Sequence, residues 1–136
     1  MKNKFSKSWV ASKRPGKQRK YVANAPIHIK RKILAVNLEK TLRKKFGKRS
    51  IVVRKGDKVK VVRGQWKKKQ GKILRVDSKR ERVYIEGITR KKMDGSNAEV
   101  PIRFSNLQIT ELNLDDKKRI KNQPKQEVKN GDKNAP

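Results

Sequence analysis

Lys58-Val59-Lys60-Val61 alternates charged with apolar side chains, and that period of two constrains the fold more than any other pattern in the chain. In an extended strand successive side chains leave on opposite faces, so the two valines point one way and the two lysines the other. The alternation returns where Val83 and Ile85 interleave with Arg82, Tyr84 and Glu86, and an intervening run from Lys72 to Asp77 is read as a further strand. Gly64 and Gly71 flank a connection, Gln65-Trp66-Lys67-Lys68-Lys69-Gln70, of almost unbroken positive charge with a single aromatic ring. A strand pair holding out such a loop is suited to gripping a polyanion.

Ser78-Lys79-Arg80-Glu81 and Asp94-Gly95 read as turns. Val100 to Phe104 predicts a strand that Pro101 confines to a sheet edge, and Leu107, Ile109 and Leu112 suggest a last one. Short strands at this density predict a mainly β fold, a small and strongly bent barrel, over residues 51–112.

The chain has 136 residues, with 41 Lys and Arg against 12 Asp and Glu, a formal net charge of +29. A compact protein at that charge repels itself, so a dense negative partner is expected. Nucleic acid meets the need best, since a duplex carries one phosphate charge about every 1.7 Å of axis. An anionic membrane is usually met by a single basic amphipathic helix, whereas here the charge is spread over strands, loops and tails. It is also uneven. Residues 1–50 carry 17 Lys and Arg against one acid, Glu39 (net +16), and residues 51–112 carry 17 against seven (net +10).

Residues 1–25 form a basic extension too poor in apolar groups to fold alone, expected to order on a phosphate surface. Lys13, Arg14, Lys17, Arg19 and Lys20 are its candidate phosphate ligands, and Trp9 and Tyr21 its candidate stacking rings. Residues 26–50 read as a short helical arm. Pro26 opens a helix in which Ile29, Ile33 and Val36 recur on one face. Asn37 is the expected cap of a second helix, with Glu39 in its first turn, Leu38, Leu42 and Phe46 on its apolar face and Gly47 as its stop. Lys30, Arg31, Lys32, Arg43, Lys44 and Arg49 form the charged side, expected to face phosphates rather than solvent alone. Residues 113–136 are expected to be a polar, disordered tail.

Several chemistries drop out. No cysteine is present, which excludes disulfides and thiolate metal sites, and the single histidine, His28, cannot build a metal centre alone. No Walker loop or dinucleotide fingerprint occurs, no nucleophile stands beside His28, and neither catalysis nor a cofactor is expected. No apolar run approaches a membrane span and the basic N-terminus lacks a signal peptide's apolar block, so a soluble intracellular protein is expected.

Lys55-Gly56-Asp57, the alternating valines, Arg63-Gly64, Gly71-Lys72-Ile73 and Val76-Asp77 together resemble the KOW motif. The flanks narrow this further. Lys17-Gln18-Arg19-Lys20, Asn24-Ala25-Pro26, Ile27-His28-Ile29, Leu42-Arg43, Phe46-Gly47 and Arg49-Ser50 precede the motif. Tyr84 to Lys92, Asp94-Gly95, Pro101-Ile102 and Ser105-Asn106-Leu107 follow it. In this order they are similar to the archaeal and eukaryotic form of the universal large-subunit ribosomal protein twenty-four family, twenty-six in eukaryotic numbering.

That resemblance covers about residues 10 to 112. It implies an SH3-like barrel and a cytoplasmic, ribosome-bound protein that binds the 5′ region of large-subunit ribosomal RNA early in assembly. It further implies neighbouring large-subunit proteins near the polypeptide exit tunnel as partners, with no homo-oligomer. Family members often carry a further glycine where this chain has Lys68, and a positive φ there costs a lysine more than a glycine.

Lys67, Lys68 and Lys69 are the leading phosphate ligands of the β-domain, with Lys55, Lys58, Lys60, Arg63, Gln65 and Lys72 around them. Gly64 and Gly71 are expected to let the backbone approach RNA; their plainer role, a tight strand connection, is compatible with that. Trp66 either stacks on a base, worth about 1–3 kcal/mol, or packs across the barrel mouth. Arg90, Lys91 and Lys92 form a second basic loop. The competing functions are a KOW-type transcription elongation factor, which usually carries a separate α/β domain that this pattern has no room for, and a basic chromatin-like or membrane-surface protein.

Overall fold

The computed structural model describes residues 5, 6 and 12–120. Three short helices, α1 (Pro15–Asn24), α2 (Ile27–Ile33) and α3 (Lys40–Phe46), accompany nine strands. The strands are β1 (Ala35–Leu38), β2 (Ser50–Val52), β3 (Lys58–Val61), β4 (Gln70–Asp77), β5 (Arg82–Ile85), β6 (Thr89–Lys91), β7 (Asn97–Glu99), β8 (Ile102–Arg103) and β9 (Leu107–Glu111). The fold is mainly β, as the alternation predicts.

Seven strands form one ladder in the order β2-β1-β9-β3-β4-β5-β8, and β6 and β7 make a separate hairpin. All pairings are antiparallel except β1 with β9. Strand β4 bends the sheet. Its first three residues pair with β3, Ile73 to Asp77 pair with β5, and the register slips between Ile73 and Arg75. Such a bulge kinks a strand and increases its twist, so that residues far apart in the ladder share one interior. Val59, Val61, Ile73, Val83, Ile85, Leu107 and Ile109 fill it from the strands, each at most 2% exposed. Strand β8, just after Pro101, lies at the sheet edge as expected.

The segment 26–50 is not a helical arm standing apart from the β-domain. Helix α2 starts after Pro26 as predicted, but Val36 leaves it and enters β1. Asn37, expected to cap the second helix, lies inside β1, and Glu39 takes the cap position before α3. The reason is burial. Leu34, Val36 and Leu38 belong to the same apolar cluster as the strand residues, and β1 bridges β2 and β9. Extended chain lets Val36 and Leu38 share one face, which a helix would have separated. Phe46 is buried, and Gly47 ends α3 in the left-handed conformation (φ 61°), its N–H donating to the Arg43 carbonyl.

Both flanks also differ from the expectation of disorder. Residues 15–24 of the N-terminal extension form helix α1, with Pro15 in its first turn. At the other end the chain stays on the domain past Leu112, through a 3₁₀ turn at Lys117–Ile120. Trp9 and the tail from residue 121 onward lie outside the described residues.

Candidate nucleic-acid interface

The connection from β3 to β4 is a compact turn system rather than an open loop. Val61 and its partners close the base: the Lys68 N–H donates to the Val61 carbonyl and the Val61 N–H to the Lys69 carbonyl, each at 2.8 Å. Inside it, Lys67 N–H donates to Gly64 carbonyl at 3.1 Å and Lys69 N–H to Trp66 carbonyl at 3.2 Å. Gly64 (φ 99°) and Lys68 (φ 73°) both take positive φ. Lys68 therefore adopts the left-handed conformation, at a cost of about 1–2 kcal/mol. Lys67, Lys68 and Lys69 are exposed, as are Arg63, Gly64 and Gln65.

Trp66 is half-buried and packs against the core cluster, with the Lys69 ammonium 4.6 Å from its ring centroid. That contact is the packing role expected for it, and the residue remains half-exposed. Gly71 likewise serves the strand connection: a Cβ there would stand 2.5 Å from the Glu86 carbonyl oxygen and 2.7 Å from Ile85 Cγ2. Its glycine is required by its own neighbour strand.

The remaining sequence-predicted residues fall into three groups. Lys13, Arg14, Lys17, Arg19 and Lys20 are exposed on or beside α1, where Tyr21 stacks obliquely on Phe5 at 4.8 Å between centroids. Arg31, Lys32, Lys44 and Arg49 are exposed around α2 and α3, whereas the Lys30 ammonium donates to the Ala23 carbonyl and Arg43 Nε to the Leu38 carbonyl. In the β-domain Lys55 and Lys72 are exposed, Lys60 is half-buried, and Lys58 pairs with Glu111 at 2.9 Å. Arg90 and Lys91 do not form a loop. They lie in β6 opposite Ala98 and Asn97, and Lys92 begins the turn. That turn runs through Asp94 and Gly95 (φ 84°), and hydrogen bonds from the Ser96 hydroxyl and N–H hold the Asp94 carboxyl below its ordinary pKa.

Sequence reasoning missed two features. Arg82 and Arg103 are opposed in the β5–β8 ladder and exposed on the same end of the domain as Trp66. Arg82 was visible as the outward member of an alternating pair, but nothing in sequence placed it against Arg103. The second is a buried clasp. Asp57, wholly buried, accepts hydrogen bonds from Arg119 Nη1 and Nη2, both at 2.6 Å, and from the N–H groups of Arg54 and Asn113. Nearby, Arg54 Nη1 binds Asp116 at 2.8 Å and holds that exposed carboxyl below its ordinary pKa. Among the described residues no group of three or more His, Cys, Asp or Glu side chains could hold a metal ion, and no helix is long and apolar enough to cross a membrane.

A profile of the family that unites the eukaryotic ribosomal proteins L26 with their archaeal L24 counterparts matches residues 12–123. The chain belongs to this family. It is similar to the large ribosomal subunit protein uL24 of Korarchaeum cryptofilum (strain OPF8), 47% identical over 110 residues that cover 81% of this chain and 84% of the relative. The match takes in the residues of α1, the β-domain and the Arg119 clasp together, so membership rests on nearly the whole described sequence rather than on the KOW segment alone.

Proposed function

We propose that the protein is a structural constituent of the large ribosomal subunit, bound in the cytoplasm to the 5′ region of large-subunit ribosomal RNA. It joins early in assembly and lies beside neighbouring large-subunit proteins near the polypeptide exit tunnel. The observation that carries this reading is the family match over 112 consecutive residues, 12 to 123. The finer placement rests on the resemblance of the KOW segment and its ordered flanks.

Charge and geometry are consistent with the role. Lys67, Lys68 and Lys69 are presented by a turn system whose shape is set by backbone hydrogen bonds, so little chain entropy remains to be lost when phosphates are bound. Arg63 and Lys72 supply further contacts beside it, and Lys55, which lines a cleft with Arg31, joins Lys32, Lys44 and Arg49 in extending the surface over α2 and α3. Trp66 supports the loop from beneath.

The test is fractionation. The endogenous protein sediments with large subunits at moderate salt and dissociates at high salt, and crosslinking with sequencing of the attached RNA recovers the 5′ region. Recovery wholly in a ribosome-free fraction, or with RNA polymerase and no ribosomal RNA, overturns the reading.

A further inference from the structure

Helix α1 poses a physical problem. Its ten residues carry Lys17, Arg19 and Lys20 with no acid in its first turn, no side-chain cap and no buried residue. A helix of that length is marginal in water without tertiary packing. Yet it shares with the β-domain a cleft of about 560 Å³, lined by Arg19 and Val22 on the helix side and Arg80, Arg82 and Arg103 on the other.

Among the described residues that line the cleft are four arginines and one carboxylate, that of Glu81. Arg82 and Arg103 are direct partners across β5 and β8, an arrangement that is destabilising for like charges. Glu81 relieves this only weakly: its Oε2 is 4.0 Å from Arg103 Nη2, while its Oε1 is buried and has no hydrogen-bond partner among the described residues. Arg82 and Arg103 also line a second, smaller cleft, with Trp66, Gly64 and Arg63. The arginine pair therefore joins the cleft under α1 to the base of the lysine loop.

We infer that this joined cleft holds a continuous stretch of RNA sugar-phosphate backbone, which bridges α1 to the β5–β8 edge and orders the helix on the domain. The inference rests on the proposed RNA-binding function and adds a site to it. Arginine suits the task because its planar fork binds phosphate through two parallel N–H donors. A single small anion satisfies one pair of guanidiniums; a polyanion is needed to neutralise a track that runs from Arg19 through Arg82 and Arg103 to Arg63.

The experiment uses the full chain and purified large-subunit ribosomal RNA. Binding is measured across a salt series, and amide hydrogen exchange is followed with and without RNA. For the unaltered protein, RNA protects amides 16–24 as well as those of residues 65–69. In Arg82→Gln/Arg103→Gln, protection of 16–24 is lost and that of 65–69 persists, and the slope of log K against log salt falls by about 1.4–1.8. Arg19→Gln, on the helix side, lowers the slope by about 0.7–0.9. All three arginines are exposed, so far-ultraviolet circular dichroism without RNA serves as the folding control.

An unchanged slope and unchanged protection in both variants overturn the cleft while leaving the proposed function standing. So does protection of 16–24 conferred by the ribosomal-protein fraction and not by RNA. Failure of the unaltered protein to bind the RNA at all overturns both.

Discussion

Asp57 and Arg119, 62 positions apart, form a two-pronged ion pair in which the two side chains are 0% and 3% exposed. The aspartate belongs to the KOW segment; the arginine comes from a stretch that reads as tail. Arg119 also donates to the carbonyls of Asn113 and Val52, so one guanidinium ties the C-terminal segment to both the motif and the edge strand β2. A buried charge pair is not in itself strong evidence of net stabilisation, because desolvating two ions offsets much of their attraction. Removing one partner is a different matter.

Arg119→Met is expected to cost about 3–5 kcal/mol, because it leaves the Asp57 carboxylate buried without its cation. Asp57→Asn in the same chain recovers part of that loss, since no full charge is then stranded. Urea unfolding of the two variants checks both statements. A loss for Arg119→Met within about 0.5 kcal/mol of zero, the range of an ordinary surface change, sinks the clasp as a structural element.

Gly71→Ala is expected to destabilise by about 1–3 kcal/mol, the usual range for overpacking. The new methyl meets the Glu86 carbonyl and Ile85, both on or next to β5, so the β4–β5 spacing must give. Thermal unfolding measures it, and Gly64→Ala is an instructive partner. No atom stands within 4 Å of a Cβ at Gly64, so any loss there comes from its φ of 99° and not from contact.

Lys68→Gly is expected to move stability and binding in opposite directions. Glycine relieves a left-handed lysine, a gain of about 1–2 kcal/mol, partly offset by about 0.5–1 kcal/mol of glycine chain entropy. The same change removes one exposed cation, so the salt slope of RNA binding falls by about 0.7–0.9. A variant that is less stable, or that binds RNA with an unaltered slope, contradicts one half of this account.

Asp116 titrates with a folded-state pKa below its ordinary 3.8, chiefly through its hydrogen bond from Arg54. A lowered carboxyl pKa stabilises the fold fully above the ordinary value, and that contribution disappears as pH falls through the lower folded value. Weakening of the C-terminal segment is therefore an acid-side event, below about pH 4. Arg54→Gln moves the Asp116 midpoint back toward 3.8 in a carboxyl NMR titration; an unmoved midpoint excludes Arg54 as the cause.

The period of two at Lys58–Val61 and Arg82–Ile85 determined the β-domain by itself, because in a strand the face a side chain occupies follows directly from its place in sequence. Pro26, Gly47, Pro101 and Asp94-Gly95 likewise marked element ends through local backbone chemistry. The exposed cations of the lysine loop and of α1 were legible too, since nearly uncompensated charge cannot be buried. What tertiary structure alone decided involves choices between local alternatives. Ala35–Leu38 has a helical reading and an extended one, and only pairing with β2 and β9, which buries Val36 and Leu38, selects the strand. Trp66 meets the core cluster only because distant strands assemble beneath it. Arg119 sits in a polar sequence that promises disorder, and Arg82 and Arg103 are 21 positions apart. Their partners are set by the folding of distant chain, and the long-range field that pairs or opposes charges has no period in the sequence to announce it.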